Sequence, residues 1–432
     1  MEISGWGRYP VVQAHCCSSF SENKARSCIS SQGSWISYGL GRSYGDSALN
    51  EQVLLLQYLN KMLYFDEKNG ILTCEAGVTL AEIADCFIPR GWFLSVTPGT
   101  KFITLGGAIA SNVHGKNHHI AGSFVSSLIS FELMLANGEV EYCSREQNKD
   151  LFYATCGGMG LTGVILRATI QLKKVNSAYI QQKTIKARNL EEIFNLFEEY
   201  SDWTYSVAWL DCLSKGKDQG KSLLMLGEHA NDHVLRYKSK KSISIPMDLP
   251  KFSLNKYSIS LFNKLYYNKT RKAINDTTTT IEKFFYPLDS IHNWNKIYGK
   301  NGFLQYQFVL PKESSFEGLQ NILSQISHAG LGSFLTVLKL FGPERENYLS
   351  FPQEGYTLAL DFKIENKLFP LLERLDSLIL DYGGRLYLTK DARMSSEMVI
   401  KGYPMFDQFK DIRDKYSLYN KFNSIQSKRL GI

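Results

Sequence analysis

The sequence predicts an α+β protein of two domains, and three observations lead to that expectation. Glycine-rich turns recur three times early in the chain, around residues 36–46, 98–115 and 156–163, each set between regular elements. Beyond Val175, strand-like runs alternate with amphipathic helices, the texture of an antiparallel sheet with helices on one side. The chain has 432 residues, 44% apolar and 21% charged, enough to bury a large core.

Taken in order, residues 1–30 read as irregular, with Gly5-Trp6-Gly7-Arg8 their distinctive cluster. Residues 36–46, ISYGLGRSYGD, form a glycine-rich loop around Arg42-Ser43-Tyr44. Short apolar strands are expected near 53–57 and 62–66, then an Asn69-Gly70 turn and a strand over 71–75. Residues 79–89 have the cap and spacing of a helix. Thr104-Leu105-Gly106-Gly107-Ala108-Ile109 reads as a turn feeding a helix, a natural seat for a pyrophosphate. Residues 127–143 read as a β-hairpin turning at Asn137-Gly138, and 150–156 as a short helix. A third glycine turn, CGGMGLTG, then leads into a strand over 164–173. In the second half, strands are expected over 205–210, 302–310, 333–341 and 356–362, and helices over 190–200, 317–327 and 368–382.

Composition narrows the class. No run of 18 apolar residues suggests a membrane span, and the first residues lack a signal-peptide pattern, so a cytoplasmic location is expected. The eight cysteines contain no C-x-x-C pair and are expected to be free, mostly buried thiols rather than a zinc site or a disulfide framework. His114 and His118 are four residues apart, but Lys116 and a glycine-rich context argue against a metal. The net charge of +7 is local: 236–272 carries ten basic residues against Asp248, a net +9 that leaves −2 for the rest. That segment, interleaved with tyrosine and phenylalanine, reads as a solvated loop or as a membrane-surface contact; no nucleic-acid module accompanies it.

Three glycine loops could together cradle one extended dinucleotide, since backbone N–H groups approach an anion most closely where no Cβ intervenes. None has the G-x-G-x-x-G spacing that follows a first strand, so a Rossmann site is disfavoured; three tight turns in a twisted β domain are the plainer alternative. Gln305 and Gln307, two apart on one strand, either face a ligand together or lie on a solvated face. Lys390 is a candidate for proton transfer, or pairs with Asp391 or Glu397.

The loops YGLGRSYGD, PGT…GGAIASNVHGKNHH and CGGMGLTGV resemble the FAD-binding domain of the vanillyl-alcohol oxidase/p-cresol methylhydroxylase (VAO/PCMH) superfamily. The runs HGKNHH, FLQYQFV, KLFGP and GGRLYLTKDAR are similar to the decaprenylphosphoryl-β-D-ribose 2′-oxidase family, and the similarity extends over nearly the whole chain. The resemblance implies an FAD-binding domain over 1–176, an antiparallel-sheet substrate domain over 177–384 and a segment, 385–432, returning to the first. It implies FAD contacts at Gly39, Gly41, Arg42, Ser43, Tyr44, Gly45 and Asp46, then at Gly99, Thr104, Gly106, Gly107, Ser111, Asn112 and His114. Val164 would lie on the adenine side and Tyr387 at the isoalloxazine. Tyr44, Gln305, Gln307, Lys339 and Tyr387 would bind substrate, and Lys390, His114 and Lys116 would be catalytic.

The implied reaction is oxidation of a polyprenylphosphoryl ribose at C2 to the 2′-keto sugar, the first half of a 2′-epimerisation that makes an arabinose donor for the cell envelope. An NAD(P)H-dependent keto-reductase would be the partner. Asp46 stands where members that bind FAD covalently often carry histidine, which implies non-covalent FAD; Ala359 stands where mycobacterial members carry a pocket cysteine, so thiol-capturing inhibitors should not label this chain. Oxidation of a soluble alditol or aldonolactone on the same scaffold, and a flavin-binding accessory protein without turnover, are the rival readings.

Overall fold

The computed structural model describes residues 1–237, 243–250, 252–343 and 348–432. The N-terminal part holds three sheets, the smallest an antiparallel pair of Glu2–Ser4 with Val11–Gln13. Strands His15–Ser18, Gln52–Leu55 and Trp35–Tyr38 form a parallel sheet with Gln52–Leu55 in the middle. An antiparallel sheet orders Val140–Ser144, Leu128–Met134, Val164–Lys174, Ile71–Glu75 and Met62–Asp66, with Trp92–Leu94 pairing the far end of Val164–Lys174. Its apolar faces bury Leu72, Phe131, Leu133, Leu166 and Ile170. Helix Leu80–Phe87 starts at Thr79 with a capping box to Glu82, which satisfies backbone donors at both positions.

The second half is built on an eight-stranded sheet whose pairs are all antiparallel: Ile274–Thr280, Tyr179–Ala187, Ser222–His229, Tyr205–Leu210, Thr336–Phe341, Gly355–Lys363, Phe303–Pro311, Arg385–Leu386. A short parallel pair of Ile243–Ser244 with Ile291–His292 accompanies this sheet. Helices Leu190–Glu199, Lys312–Ala329 and Leu368–Asp381 pack their apolar stripes into the core on this sheet, through residues such as Ile193, Ile322 and Leu375. The chain thus has the α+β architecture expected. Arg385–Leu386 closes the edge of the large sheet, and the chain then crosses to the N-terminal part, where Phe422 bridges to Trp35 and Arg429 pairs with Asp46.

Some expectations need correction. Residues 1–30 contain strands Glu2–Ser4, Val11–Gln13 and His15–Ser18 and helix Glu22–Ile29. That helix buries only Ala25, Cys28 and Ile29, too short a stripe to show as periodicity, although Ser21 caps it. Cys17 and Cys28 are joined in a disulfide rather than free, because helix Glu22–Ile29 folds its last turn onto the strand carrying Cys17. The other six cysteines are free, and Cys74, Cys143, Cys156 and Cys212 are buried. The basic segment contains helix Lys256–Asn268 rather than continuous loop; its Lys238, Lys240, Lys241 and Lys251 lie outside the described residues.

Candidate active site

A cavity of about 570 Å³ opens between the loops of the N-terminal part and one face of the large sheet. Its first end is built from backbone. Gly39 follows the parallel strand Trp35–Tyr38, and a Cβ there would stand 2.5 Å from Thr104 Oγ1. Thr104 needs that position: its Oγ1 accepts the Gly107 N–H at 3.2 Å and starts helix Leu105–Ala110. Gly41, Ser43, Gly99, Gly106, Gly107 and Ser111 also line this end, and a Cβ on Gly99 would meet nothing within 4 Å. Ser37 Oγ is buried here with no hydrogen-bond partner among the described residues. Arg42 lies 4.0 Å over the Trp6 ring. This wall fits a dinucleotide: bare backbone, an orphaned hydroxyl and a cation.

Four of the residues assigned to the cofactor lie elsewhere. A Cβ on Gly45 would be 1.7 Å from the Asp391 carbonyl oxygen, so this glycine serves packing. Asp46 is buried against Arg429, 2.9 Å away; burial raises its pKa against the pull of that guanidinium. Asn112 donates to Ser350 Oγ and accepts from the Val125 N–H. Val164 points into the core, while its neighbours Gly163 and Ile165 line the cavity. Alternation along a strand makes that a slip of one residue.

The second end is built from side chains. Gln305 pairs with Asp361 and Gln307 with Ala359; Val337 pairs with Ala359 and Lys339 with Thr357. Period-two alternation therefore turns Gln305, Gln307, Val337, Lys339, Thr357 and Ala359 to the cavity. Gln307 Nε2 donates to His114 Nε2 at 3.0 Å, which leaves the imidazole proton on Nδ1, an atom without a partner among the described residues. Rings of Phe341, Tyr387 and Phe351 surround His114 at 4.8, 5.3 and 5.6 Å, and burial, with Lys339 nearby, holds its pKa well below the usual value. Tyr387 fixes the wall by donating its hydroxyl to the Ser111 carbonyl at 2.7 Å.

Three lysines converge here. Lys116 donates to the Phe284 carbonyl and sits 4.4 Å over the Phe284 ring; burial and then Lys339 push it down to about 7. Lys339, lowered by burial to about 8, has no acceptor among the described residues. Lys390 lies 3.9 Å over the Tyr44 ring, and burial lowers it to about 7 against the attraction of Asp361. Asp391 and Glu397 are committed to Arg429 and Lys401, so neither neutralises Lys390. His118 and His119 point away, to the Gly342 N–H and the Trp203 carbonyl. Among the described lining residues, six cations (Arg42, Lys116, Lys269, Lys283, Lys339, Lys390) face one carboxylate, Asp289.

Sequence reasoning missed Asp361, Asp289 and the apolar walls of Val207, Trp209, Met225 and Leu335. For Asp361 a signal existed: it continues the face of Thr357 and Ala359 along YTLALDF.

Comparison with known proteins agrees with this geometry. Residues 23–144 match the FAD binding domain family. The chain is 36% identical to decaprenylphosphoryl-β-D-ribose oxidase of Mycolicibacterium smegmatis over an alignment of 449 residues, covering 100% of this chain and 97% of that one. It is 29% identical to an uncharacterized protein in the mprA 5′ region of Streptomyces coelicolor, covering 82% of this chain and 100% of that protein. L-gulonolactone oxidase of Scyliorhinus torazame matches at 31% identity over one third (33%) of each chain. The chain is an FAD-binding oxidoreductase and belongs to the decaprenylphosphoryl-β-D-ribose oxidase family.

Proposed function

We propose that the protein oxidises the C2 hydroxyl of a polyprenylphosphoryl ribose to the 2′-keto sugar, as the first half of a 2′-epimerisation. The observation that carries the substrate class is the charge of the cavity: six cations against one carboxylate, beside apolar walls. FAD itself carries an anionic pyrophosphate, and the further positive charge at Lys116, Lys339 and Lys390 suits a second anion joined to an apolar chain. FAD, when bound, supplies the hydride acceptor. Ser37, Gly99, Gly106, Gly107 and Ser111 would hold it, non-covalently, since Asp46 is tied to Arg429 away from the cavity.

The remaining chemistry belongs to side chains. Lys390, with a pKa near neutrality, is suited to hold or accept the proton leaving the sugar hydroxyl. Gln305 and Gln307, on one strand face, orient the sugar hydroxyls, and His114, kept neutral, offers an Nδ1 proton. Lys339 answers the phosphate charge. L-gulonolactone oxidase of Scyliorhinus torazame aligns over only a third of the chain, so it does not favour a gulonolactone as the substrate.

A lipid substrate calls for a membrane surface. Helix Lys256–Asn268 exposes Tyr257 (83%), Leu261 (59%) and Leu265 (64%) beside Lys256 and Lys264, while Tyr266 and the residue that ends the helix, Lys269, join the cavity wall. None of the described helices is long and apolar enough to cross a membrane. This helix suits docking on anionic lipid, with the prenyl chain leaving the pocket beside it. Leu261→Ser/Lys264→Ser/Leu265→Ser should no longer pellet with anionic liposomes; pelleting equal to wild type would remove the membrane contact. The 2′-keto product needs an NAD(P)H-dependent reductase to complete the epimerisation toward an arabinose donor. Anaerobic addition of a polyprenylphosphoryl ribose should bleach the flavin and yield a 2′-keto sugar; a flavin that stays oxidised would refute this substrate.

A further inference from the structure

Behind the lining residues sits a carboxylate that touches neither cavity nor solvent. Asp361, 1% exposed, lies on strand Gly355–Lys363 opposite Gln305. Gln305 Nε2 donates to its Oδ1 at 2.6 Å, the Tyr298 hydroxyl approaches Oδ2 at 3.5 Å, and its backbone N–H donates to Ser333 Oγ at 3.1 Å. Both side-chain groups are donors, the set that an ionised carboxylate accepts and a protonated one does not fully use. Gln305 also lies beside Tyr44, close enough to act on its hydroxyl, and the Tyr44 ring carries Lys390 Nζ at 3.9 Å. Asp361, Gln305, Tyr44 and Lys390 are therefore successive neighbours from the buried acid to the cavity lining, where Gln305, Tyr44 and Lys390 all stand.

We propose that Asp361 is a positioning residue: its buried carboxylate holds Lys390 over Tyr44 and opposes the burial that would strip that lysine of its proton, so that Lys390 stays poised to exchange one with the alcohol. The other groups facing Lys390 act in the opposite sense or not at all. Lys339 repels it and His114 is neutral, while Asp391, its neighbour in sequence, is paired with Arg429. Tyr44 and Tyr298 are held protonated by burial, so neither supplies a negative charge. Burial drives Lys390 toward the free amine and Asp361 opposes it; each raises or lowers the other's protonation by the same coupling. The proposal deepens the function above, because its meaning for turnover rests on Lys390 meeting the reacting hydroxyl.

The test reads Lys390 directly in the FAD-loaded protein. Reductive methylation with formaldehyde and cyanoborohydride modifies only the free amine, and mass spectrometry reports the extent at Lys390 across pH. In Asp361→Asn the midpoint should fall by about one pH unit or more, a roughly tenfold rise in labelling below it. Asp361→Glu should restore the wild-type midpoint. Should Asp361→Asn fail to fold, the reciprocal measurement decides: in Lys390→Met the infrared carboxyl band of Asp361 should appear at a higher pH than in wild type. An unchanged Lys390 midpoint in Asp361→Asn, or an unchanged Asp361 band in Lys390→Met, overturns the assignment. Neither readout contains substrate, so a wrong sugar would leave this result standing and its failure would leave the sugar untouched.

Discussion

The two ends of the cavity are made of different material. The cofactor end is backbone: Gly39, Gly99, Gly106 and Gly107 bring the main chain to the wall, and Thr104 caps the helix behind them. The other end is side chain: glutamines and Lys339 from the two strands that flank Gly355–Lys363, Lys390 from the turn Leu388–Lys390, and His114 and Lys116 from the stretch after helix Leu105–Ala110. Backbone recognises the invariant shape of a dinucleotide and is broken by added atoms. Side chains recognise charge and hydroxyl pattern and are broken by removed ones. Substitutions should separate accordingly, with the first end controlling flavin content and the second controlling what reduces the flavin.

The largest effect is expected at Lys390. Lys390→Met should lower the rate of flavin reduction by about 10²–10⁴-fold, the range for loss of a proton-transferring group, with FAD content unchanged. Rapid-mixing absorbance checks it. Gly39→Ala comes next. Its Cβ would press on Thr104 Oγ1, and an overpacking strain of about 1–3 kcal/mol should weaken FAD roughly tenfold or more, measured by flavin retained on gel filtration.

Lys339→Met should act oppositely on stability and binding. A lysine lowered from 10.5 to about 8 binds fewer protons folded than unfolded across that interval. Its destabilisation is therefore complete below about pH 8 and fades as pH rises toward 10.5. Removing it should stabilise the protein by about 1–3 kcal/mol at neutral pH, a gain that disappears at alkaline pH, while KM for a phosphorylated substrate rises; thermal melts against pH read the first part. The smallest effect concerns His114. Since burial keeps it neutral, the rate of flavin reduction should show no step near pH 6.5 that is lost in His114→Gln.

The same division governs how much was legible in the sequence. Glycines mark backbone approach locally, so the three loops and the helix after Thr104 could be read directly. Gln305 and Gln307 were legible from strand alternation, yet Asp361, on the same face of a paired strand, passed as an ordinary polar residue. Val164 and Ile165 differ by one register step, which local pattern could not set without the partner strands. The fate of Lys390 was not legible at all. Asp391 is taken by Arg429, 38 residues further along the chain, and no local spacing reveals that competition. Strands Tyr179–Ala187 and Ile274–Thr280 were likewise hidden, because polar residues occupy much of the pairing edge.

On the function proposed above, the lysine end reads a phosphate while the glycine end holds the flavin. The most direct measurement is anaerobic flavin reduction by a polyprenylphosphoryl ribose beside the same lipid riboside without phosphate. Fast bleaching is expected from the first and at least about 10²-fold slower bleaching from the second, a loss matching a charge-assisted contact of about 3 kcal/mol. Equal rates for the two would contradict that function.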